Sequence, residues 1–515
     1  MTTASERPAE DPDKLLSPFS REFWLGHTDL RPVAIFRILL GLITVHDILR
    51  RFQYLEEWHT DNGVLPRMAL VEGIARPWRF SLLDTMGTTP MVAVFFVVGL
   101  IAAVCLTIGF HTRLATFVAW IFVVSVQERN LGVTDSSDTL FRVMLFWLMF
   151  APAGAAYSID RALDPASDKP WPPRGSAVAL RIMQAELILL YFITSVAKSG
   201  DHWRDGSAIY RTLQVYDFAR PTGEFFVKYL GALSRPMSWG SLALEFSICC
   251  LLWVPKLQVR KLLLLFAAMF HLGIEFFMNV GMFSFMMPMT YAVFLWPSAC
   301  DWLEKRAPRF RGLVAWFEST GKTYLPDPPS SHVDWVGTWK NKLALGVCGT
   351  LFGIILAEQP HELNNRLPRT PMPMWATMET LSLWQNWRMF APNPVFDSGP
   401  WTGEGTLTDG TTKVDVLSFG APGLANPPEG RWWYERWQKY RLHIRTPEQR
   451  GYLLWLGKYL CRRYNNTRRP GEALLDNFEL IYHLKKSHGP DEPENPVVPT
   501  VMWKHYCIKV PDEKK

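Results

Sequence analysis

The chain has 515 residues, 48% hydrophobic, 14% aromatic and 20% charged, with a net charge of +6. Its mean hydropathy is +0.01, an average that hides long charge-free runs such as MVAVFFVVGLIAAVCLTIGF at 91–110 and LLLLFAAMF at 262–270. Such runs, with 54 basic against 48 acidic residues, exclude a disordered, collagen-like or disulfide-stapled chain and give no basic field for nucleic acid.

The N-terminal MTTASERPAEDPDK is polar and acidic. It lacks the basic and apolar regions of a cleaved signal peptide, so the first span is expected to act as an uncleaved anchor. Apolar segments follow at about 32–49, 89–110, 113–127, 139–154, 177–197, 239–255, 260–277, 280–297 and 342–358. A helix needs ~20 apolar residues to cross a bilayer, and shorter ones can tilt or hide in a bundle, so eight or nine spans are expected. A Pro-rich basic linker lies at roughly 303–340, and a soluble tail begins near 360.

Orientation is read from basic residues in short loops. With nine spans and the N-terminus inside, Lys256, Arg260 and Lys261 fall on the cytoplasmic side, as do Lys305, Arg306, Arg309 and Arg311. The tail then lies outside. Arg50 and Arg51, at the far end of the first span, run against this orientation.

In the tail, GEGTLTDGTTKVDVLSFG at 403–420 places Asp409–Gly410 between two alternating stretches, a hairpin signal. WWYERWQKYRLHI and EQRGYLLWLGKYLCRRYNN, within 432–467, pattern as amphipathic helices. FELIYHLKK and TVMWKHYCIKV read as strands. The fold class expected is therefore mostly α: a polytopic membrane helix bundle with a C-terminal α+β extracytoplasmic module. Its parts are a polar segment at 1–30, a transmembrane domain at 31–359 and a soluble domain at 360–515. The rings of Trp432, Trp433, Tyr434 and Trp437 form either an interface patch or the tail's own core.

Ionisable groups inside spans are costly, so each is a functional candidate. Arg37, His46 and Asp47 lie in the first span, with a helix-binding polar network as the alternative role. Asp138 and Arg142 are four residues apart and can pair on one helix face, where they would fix helix register. Glu186 lies in the fifth span, which ends at Lys198 in YFITSVAKSGDHW. A lysine there either snorkels to headgroups or sits in an apolar pocket, where desolvation disfavours its ammonium and leaves an amine able to act as a base. If the helix continues, Asp201 and His202 share the Lys198 face. His271 and Glu275 are also four apart, as a hydrogen-bonded pair that orients the imidazole; two ligands are too few for a metal. Glu186, Glu245 and Glu275 are read as facing the bundle interior.

Cys105, Cys249, Cys250, Cys300 and Cys348 lie in or beside apolar runs and read as small core residues, whereas Cys461 and Cys507 share the tail and can pair if it is extracytoplasmic. No GxSxG, HExxH, P-loop or dinucleotide fingerprint in its structural context is present.

The order of several motifs resembles the family built on the horizontally transferred transmembrane (HTTM) domain, which includes the vitamin K-dependent gamma-glutamyl carboxylases. These motifs are FRILLGL at 36–42 followed by His46–Asp47, DTLFRVMLFWLMFAPAGAAYSID, YFITSVAKSGDHWRDG, FH with GMFSF, and LWQNWRMFAPNP at 383–394. The resemblance implies a carboxylase-like lyase in which Lys198 deprotonates a reduced vitamin K or menaquinone, with O2 and CO2 as co-reactants. His271 becomes a pocket residue, and Asp138, Arg142, Glu186, His202 and Glu275 a supporting network. A membrane lipid or quinol and a protein or peptide substrate would be the partners. Two departures stand against full transfer. Ser137 occupies a position where the carboxylase has a functional histidine, and much of that family's long C-terminal portion has no counterpart. A non-catalytic membrane scaffold or lipid-binding protein, whose tail binds an extracytoplasmic partner, is the other reading.

Overall fold

The computed structural model describes residues 13–74, 76–163, 171–307, 339–410, 413–425, 435–446 and 449–508. Trp432, Trp433, Tyr434 and most of the 303–340 linker lie outside these.

Nine helical segments fall where the apolar runs predict: α1 Arg31–Phe52, α2 Thr89–Ile108, α3 Thr112–Arg129, α4 Ser136–Leu148, α5 Val178–Ala197, α6 Ser234–Leu251, α7 Leu257–Phe277, α8 Phe283–Thr290 and α9 Trp339–Leu363. Four of them, α1, α2, α5 and α7, are long and apolar enough by themselves to cross a membrane. Their surroundings differ. The apolar stretch of α5 is 78% buried, whereas that of α7 is 22% buried and leaves Leu262, Leu265, Phe266, Leu272 and Phe276 exposed. Water would penalise that surface by about 25 cal/mol per Å2, whereas hydrocarbon would not. Hence α5 is the bundle's central helix and α7 a peripheral one.

Local chemistry sets the helix ends. Asp135 caps α4: its carboxylate accepts from the Ser137 and Asp138 amides, and Asp138 reciprocates to the Asp135 amide. Gly109 ends α2 at φ 70°, and a Cβ there would meet the Arg37 guanidinium at 2.1 Å.

The tail folds as expected. A short ribbon pairs β1 His27–Asp29 with β2 Arg174–Ser176 in the bundle part. The tail's strands are β3 Asp397–Ser398, β4 Trp401–Leu407, β5 Lys413–Asp415, β6 Leu475–Lys486 and β7 Val498–Tyr506, all antiparallel. Long β6 carries β7 along one edge and β4, then β3, along the other. The expected hairpin is β4–β5, turning through Gly410 at φ 72°. The two amphipathic helices are α10 Glu435–Ile444 and α11 Arg450–Asn465. Trp401, Leu453, Leu456, Leu460 and Phe478 fill the core between α11 and the sheet. Trp437 is buried against Trp58, ring centroids 4.6 Å apart, so it belongs to a core rather than an exposed patch. A disulfide joins Cys461 of α11 to Cys507 after β7.

The tail is bolted to the bundle. Arg436 of α10 donates to Asp138 at 2.5 Å and lies 3.4 Å from Asp47, while Arg51 donates to Asp47 at 2.7 Å and to Asp138 at 2.5 Å. Two buried arginines thus balance two buried aspartates, linking α1, α4 and α10. This corrects the expected Asp138–Arg142 pair. Arg142 instead donates to the Ser382 carbonyl at 2.8 Å and the Trp384 carbonyl at 2.6 Å. The helix spacing allowed the pair, but Asp138 faces the tail and Arg142 faces the segment that follows α9. Of the two arginines that run against the expected orientation, Arg51 is buried in these ion pairs at the end of α1. Among the cysteines, Cys300 and Cys348 are buried as expected, whereas Cys250 is exposed on α6.

Candidate functional site

The motif YFITSVAKSG puts a lysine at the point where the central helix stops. Lys198 is the non-helical cap of α5, and the chain then turns so that the Gly200 amide donates to the Pro392 carbonyl at 3.0 Å. A Cβ on Gly200 would lie 2.1 Å from Asn393 Oδ1, so this approach needs glycine. The Lys198 side chain is buried. Its Nζ lies 2.5 and 2.7 Å from the two carboxylate oxygens of Glu245 on α6, and 4.8 Å from the centre of the Trp203 ring. Lys198 neither snorkels to headgroups nor sits in a purely apolar pocket. It is half of a buried ion pair.

The turn also breaks the face that Asp201 and His202 were expected to share with Lys198. The His202 amide is held by Asn393 at 3.0 Å, and its ring packs near Phe396, 3.9 Å from Asp205. His202 is therefore separate from the lysine site.

On α7, His271 and Glu275 also part company. Glu275 is engaged by Arg220, from the loop before α6. His271 Nε2 lies 2.9 Å from the Tyr191 hydroxyl, which in turn hydrogen-bonds Tyr291. The residue that orients the imidazole is thus a tyrosine seven positions before Lys198. His271 Nδ1 is buried and finds no hydrogen-bond partner among the described residues.

Glu186 is a structural anchor. It accepts from Trp147 Nε1 at 2.8 Å and from Gln385 at 3.2 Å, and Gln385 accepts from Trp387 Nε1 at 2.7 Å. The LWQNWRMF stretch is in this way threaded into the bundle, with Trp387 buried beside Thr194 of α5.

Lys198, Glu245, His271 and Tyr191 all line one cavity of about 640 Å3. Its walls are mainly apolar, from Leu190, Ile209, Phe218, Ile274 and Phe283. It reaches Met237 and Met269, which are exposed on the outer surfaces of α6 and α7. Along α6, Met237, Ser241 and Glu245 are spaced by four, so one helix face leads from the outer surface to the ion pair.

Residues 26–302 match the family model of the HTTM domain. The chain belongs to the HTTM domain family. A protein of Bacillus subtilis strain 168, uncharacterized YitO, is 25% identical over 209 residues; the match covers 38% of this chain and 64% of YitO. No solved structure matches.

The HTTM match takes in Tyr191, Lys198, Glu245, His271 and Tyr291, but the cavity continues beyond it. Beside Asp135, Ser136 and Ser137 at the start of α4, which lie within the match, Lys439, Leu442 and His443 of α10 line the cavity from outside the match. His443 Nδ1 lies 2.6 Å from the Gly132 carbonyl, which fixes this nitrogen as the donor. Burial pushes the His443 imidazole below its ordinary pKa, opposed by that carbonyl. Lys439 Nζ is 3.9 Å from Asp135. Sequence reading missed these tail residues, and also Glu245 as the partner of Lys198. The α10 pattern showed only an amphipathic helix, and nothing in it reveals that one face closes a cavity in another domain.

Proposed function

We propose that this protein is an integral membrane protein whose bundle binds a lipid-soluble hydroxyl-bearing molecule of the quinol class, and that Lys198 and Glu245 handle the proton of its polar head. The observation carrying this reading is that Lys198 and His271, from different helices, line one apolar-walled cavity reaching the outer faces of α6 and α7. The donor set fits such a molecule. The His271 imidazole lines the cavity, and its Nδ1 is buried with no hydrogen-bond partner among the described residues, so a small shift of the ring would let it meet a hydroxyl or carbonyl oxygen. When bound, a quinol would supply a phenolic proton and a pair of electrons. Glu245 holds the Lys198 ammonium in place. Transfer of one proton within the pair leaves a neutral amine beside a carboxylic acid, and the amine is then the base. Tyr191 fixes the His271 ring, and the apolar walls exclude water that would compete for the proton.

In this reading the bundle makes eight or nine membrane passes, the shorter segments tilted or half-buried among the longer ones, with the 31–359 bundle in a bacterial inner membrane, the N-terminus cytoplasmic and the tail outside. Alternate helix ends contact the tail, and the Cys461–Cys507 disulfide suits an oxidising compartment. Lys256, Lys261, Lys305 and Arg306 gather at the opposite end. A periplasm-dependent reporter fused after Tyr506 is expected to be active, and one fused after Arg306 inactive. The reverse pattern would overturn the orientation.

The central test uses full-length protein in nanodiscs and the intrinsic fluorescence of reduced menaquinone. Saturable binding is expected, lost in Ser241→Phe and weakened in His271→Ala. Binding unaffected by both substitutions would sink the cavity assignment. For the carboxylase-like reaction, the assay is incorporation of labelled CO2 into a glutamate-containing peptide with reduced vitamin K and O2. Incorporation abolished by Lys198→Met/Glu245→Gln, a variant that removes both charges together, supports the reaction. Absence of incorporation supports the second reading, a non-catalytic membrane scaffold or lipid-binding protein whose tail binds an extracytoplasmic partner, which the closed Lys198–Glu245 pair and Ser137 both favour.

A further inference from the structure

Between α5 and α6 the chain forms a ten-residue helix, Pro221–Leu230, that does not cross the bundle. One face is fitted to the end of α7. Gly223 lies so close that a Cβ would meet the Phe277 carbonyl at 2.6 Å, and the Phe226 ring packs on that of Phe277 with centroids 5.4 Å apart. The other face is bare: Phe225 is 57% and Tyr229 61% exposed, and Leu230 is exposed beside them. The bare surface runs on through Leu233, Met237 and Trp239 into the exposed side of α6, which continues to Phe246 and Leu251. Exposed apolar residues therefore follow the chain from this helix into the outer surface of α6. A Tyr and a Trp at such a junction are the residues that settle at the headgroup level of a bilayer.

Directly against this helix is a cleft of about 430 Å3, with Glu224, Val227 and Lys228 on one wall and Lys485, Lys486 and His488 at the end of β6 on the other. Glu494 engages Lys485. Neither Lys228 nor Lys486 has a carboxylate within ion-pair distance among the described residues, and Lys228 instead sits 5.2 Å from the Tyr229 ring centre.

We propose that this cleft is a binding site for the phosphate of an anionic phospholipid, whose acyl chains lie along the Phe225–Leu230–Leu233 surface. The bare apolar face would hold the chains at one level, and the two lysines, supplied by the bundle and the tail, would meet the phosphate above them. Met237 belongs both to this surface and to the rim of the large cavity, so the bound phospholipid would flank the lateral opening. The proposal rests on the membrane placement argued above and not on the chemistry assigned to Lys198.

The test is native mass spectrometry of the full-length protein titrated with phosphatidylglycerol or phosphatidylcholine. Preferential retention of phosphatidylglycerol is expected, and Lys228→Gln/Lys486→Gln should weaken it by about fivefold per lysine. Lys413→Gln, on the exposed β5, should bind as the wild type does. Equal retention of the two lipids, or a double lysine variant indistinguishable from wild type, would overturn the site. Either result leaves the quinol titration above unaffected, so the two proposals fail separately.

Discussion

At the scale of single residues, the buried polar groups come in partnerships, and removing one partner should cost more than removing both. Lys198→Ala leaves the Glu245 carboxylate buried without its counter-charge, and a loss of about 3–5 kcal/mol is expected. Lys198→Met/Glu245→Leu, which deletes both charges at similar volume, should recover most of it. Denaturant unfolding in mixed micelles compares the two, and a single variant no worse than the double would show that the pair is not energetically closed. Glu57 offers a second residue-scale test, outside the spans. Burial at the seam with the tail pushes its carboxyl up to about 7, opposed by the hydrogen bond from Trp437. A carboxyl raised above its unfolded value folds best protonated, so its contribution is full below about pH 4.5 and falls away as pH rises towards 7. Wild-type stability should therefore decline by on the order of 3 kcal/mol across that window relative to Glu57→Gln. Parallel pH profiles for the two proteins would exclude Glu57 as the cause.

At the scale of elements, α10 is the piece on which the two halves depend. Its Arg436 faces Asp47 and Asp138, and its Lys439, Leu442 and His443 face the cavity. Arg436→Met leaves those aspartates with Arg51 as their one ion-pair partner among the described residues, so a loss of about 3–5 kcal/mol and early release of the tail to protease are expected. Cleavage at the wild-type rate would contradict the clamp. The Cys461–Cys507 bridge closes a separation of 46 residues, for which chain entropy gives about 4 kcal/mol. Cys461→Ser/Cys507→Ser should lower the melting temperature of the tail while leaving that of the bundle near wild type. The segment 383–394 behaves similarly: it has little regular structure, yet Gln385 and Trp387 lock it between α4 and α5 through Glu186 and Thr194.

At the scale of the whole molecule, the cavity belongs to neither half alone. Leu442→Trp, in the tail, should reduce the proposed quinol binding by about tenfold through overpacking of a wall contributed from outside the HTTM match. Lys413→Trp, exposed on the same tail, should change nothing. Equal binding by Leu442→Trp and wild type would show that the tail only covers the bundle and does not shape its site.

The sequence by itself determined the nine helical segments, the hairpin at Gly410, the two tail helices and the HTTM membership. Each depends on hydrophobic period, turn chemistry or motif order, and all of these are local. It also singled out Lys198 and His271, because charge and imidazole inside apolar runs are conspicuous. What it misjudged were partners. Helix spacing brings Asp138 near Arg142 and His271 near Glu275, but spacing of four only permits a pair. The fold offered Asp138 two better-placed arginines, one of them 298 positions away, and gave His271 a tyrosine from α5. The turn at Gly200 removed His202 from the Lys198 face. Only the tertiary structure could decide these, because a buried charge goes to whichever counter-charge the packing of separate elements leaves within reach.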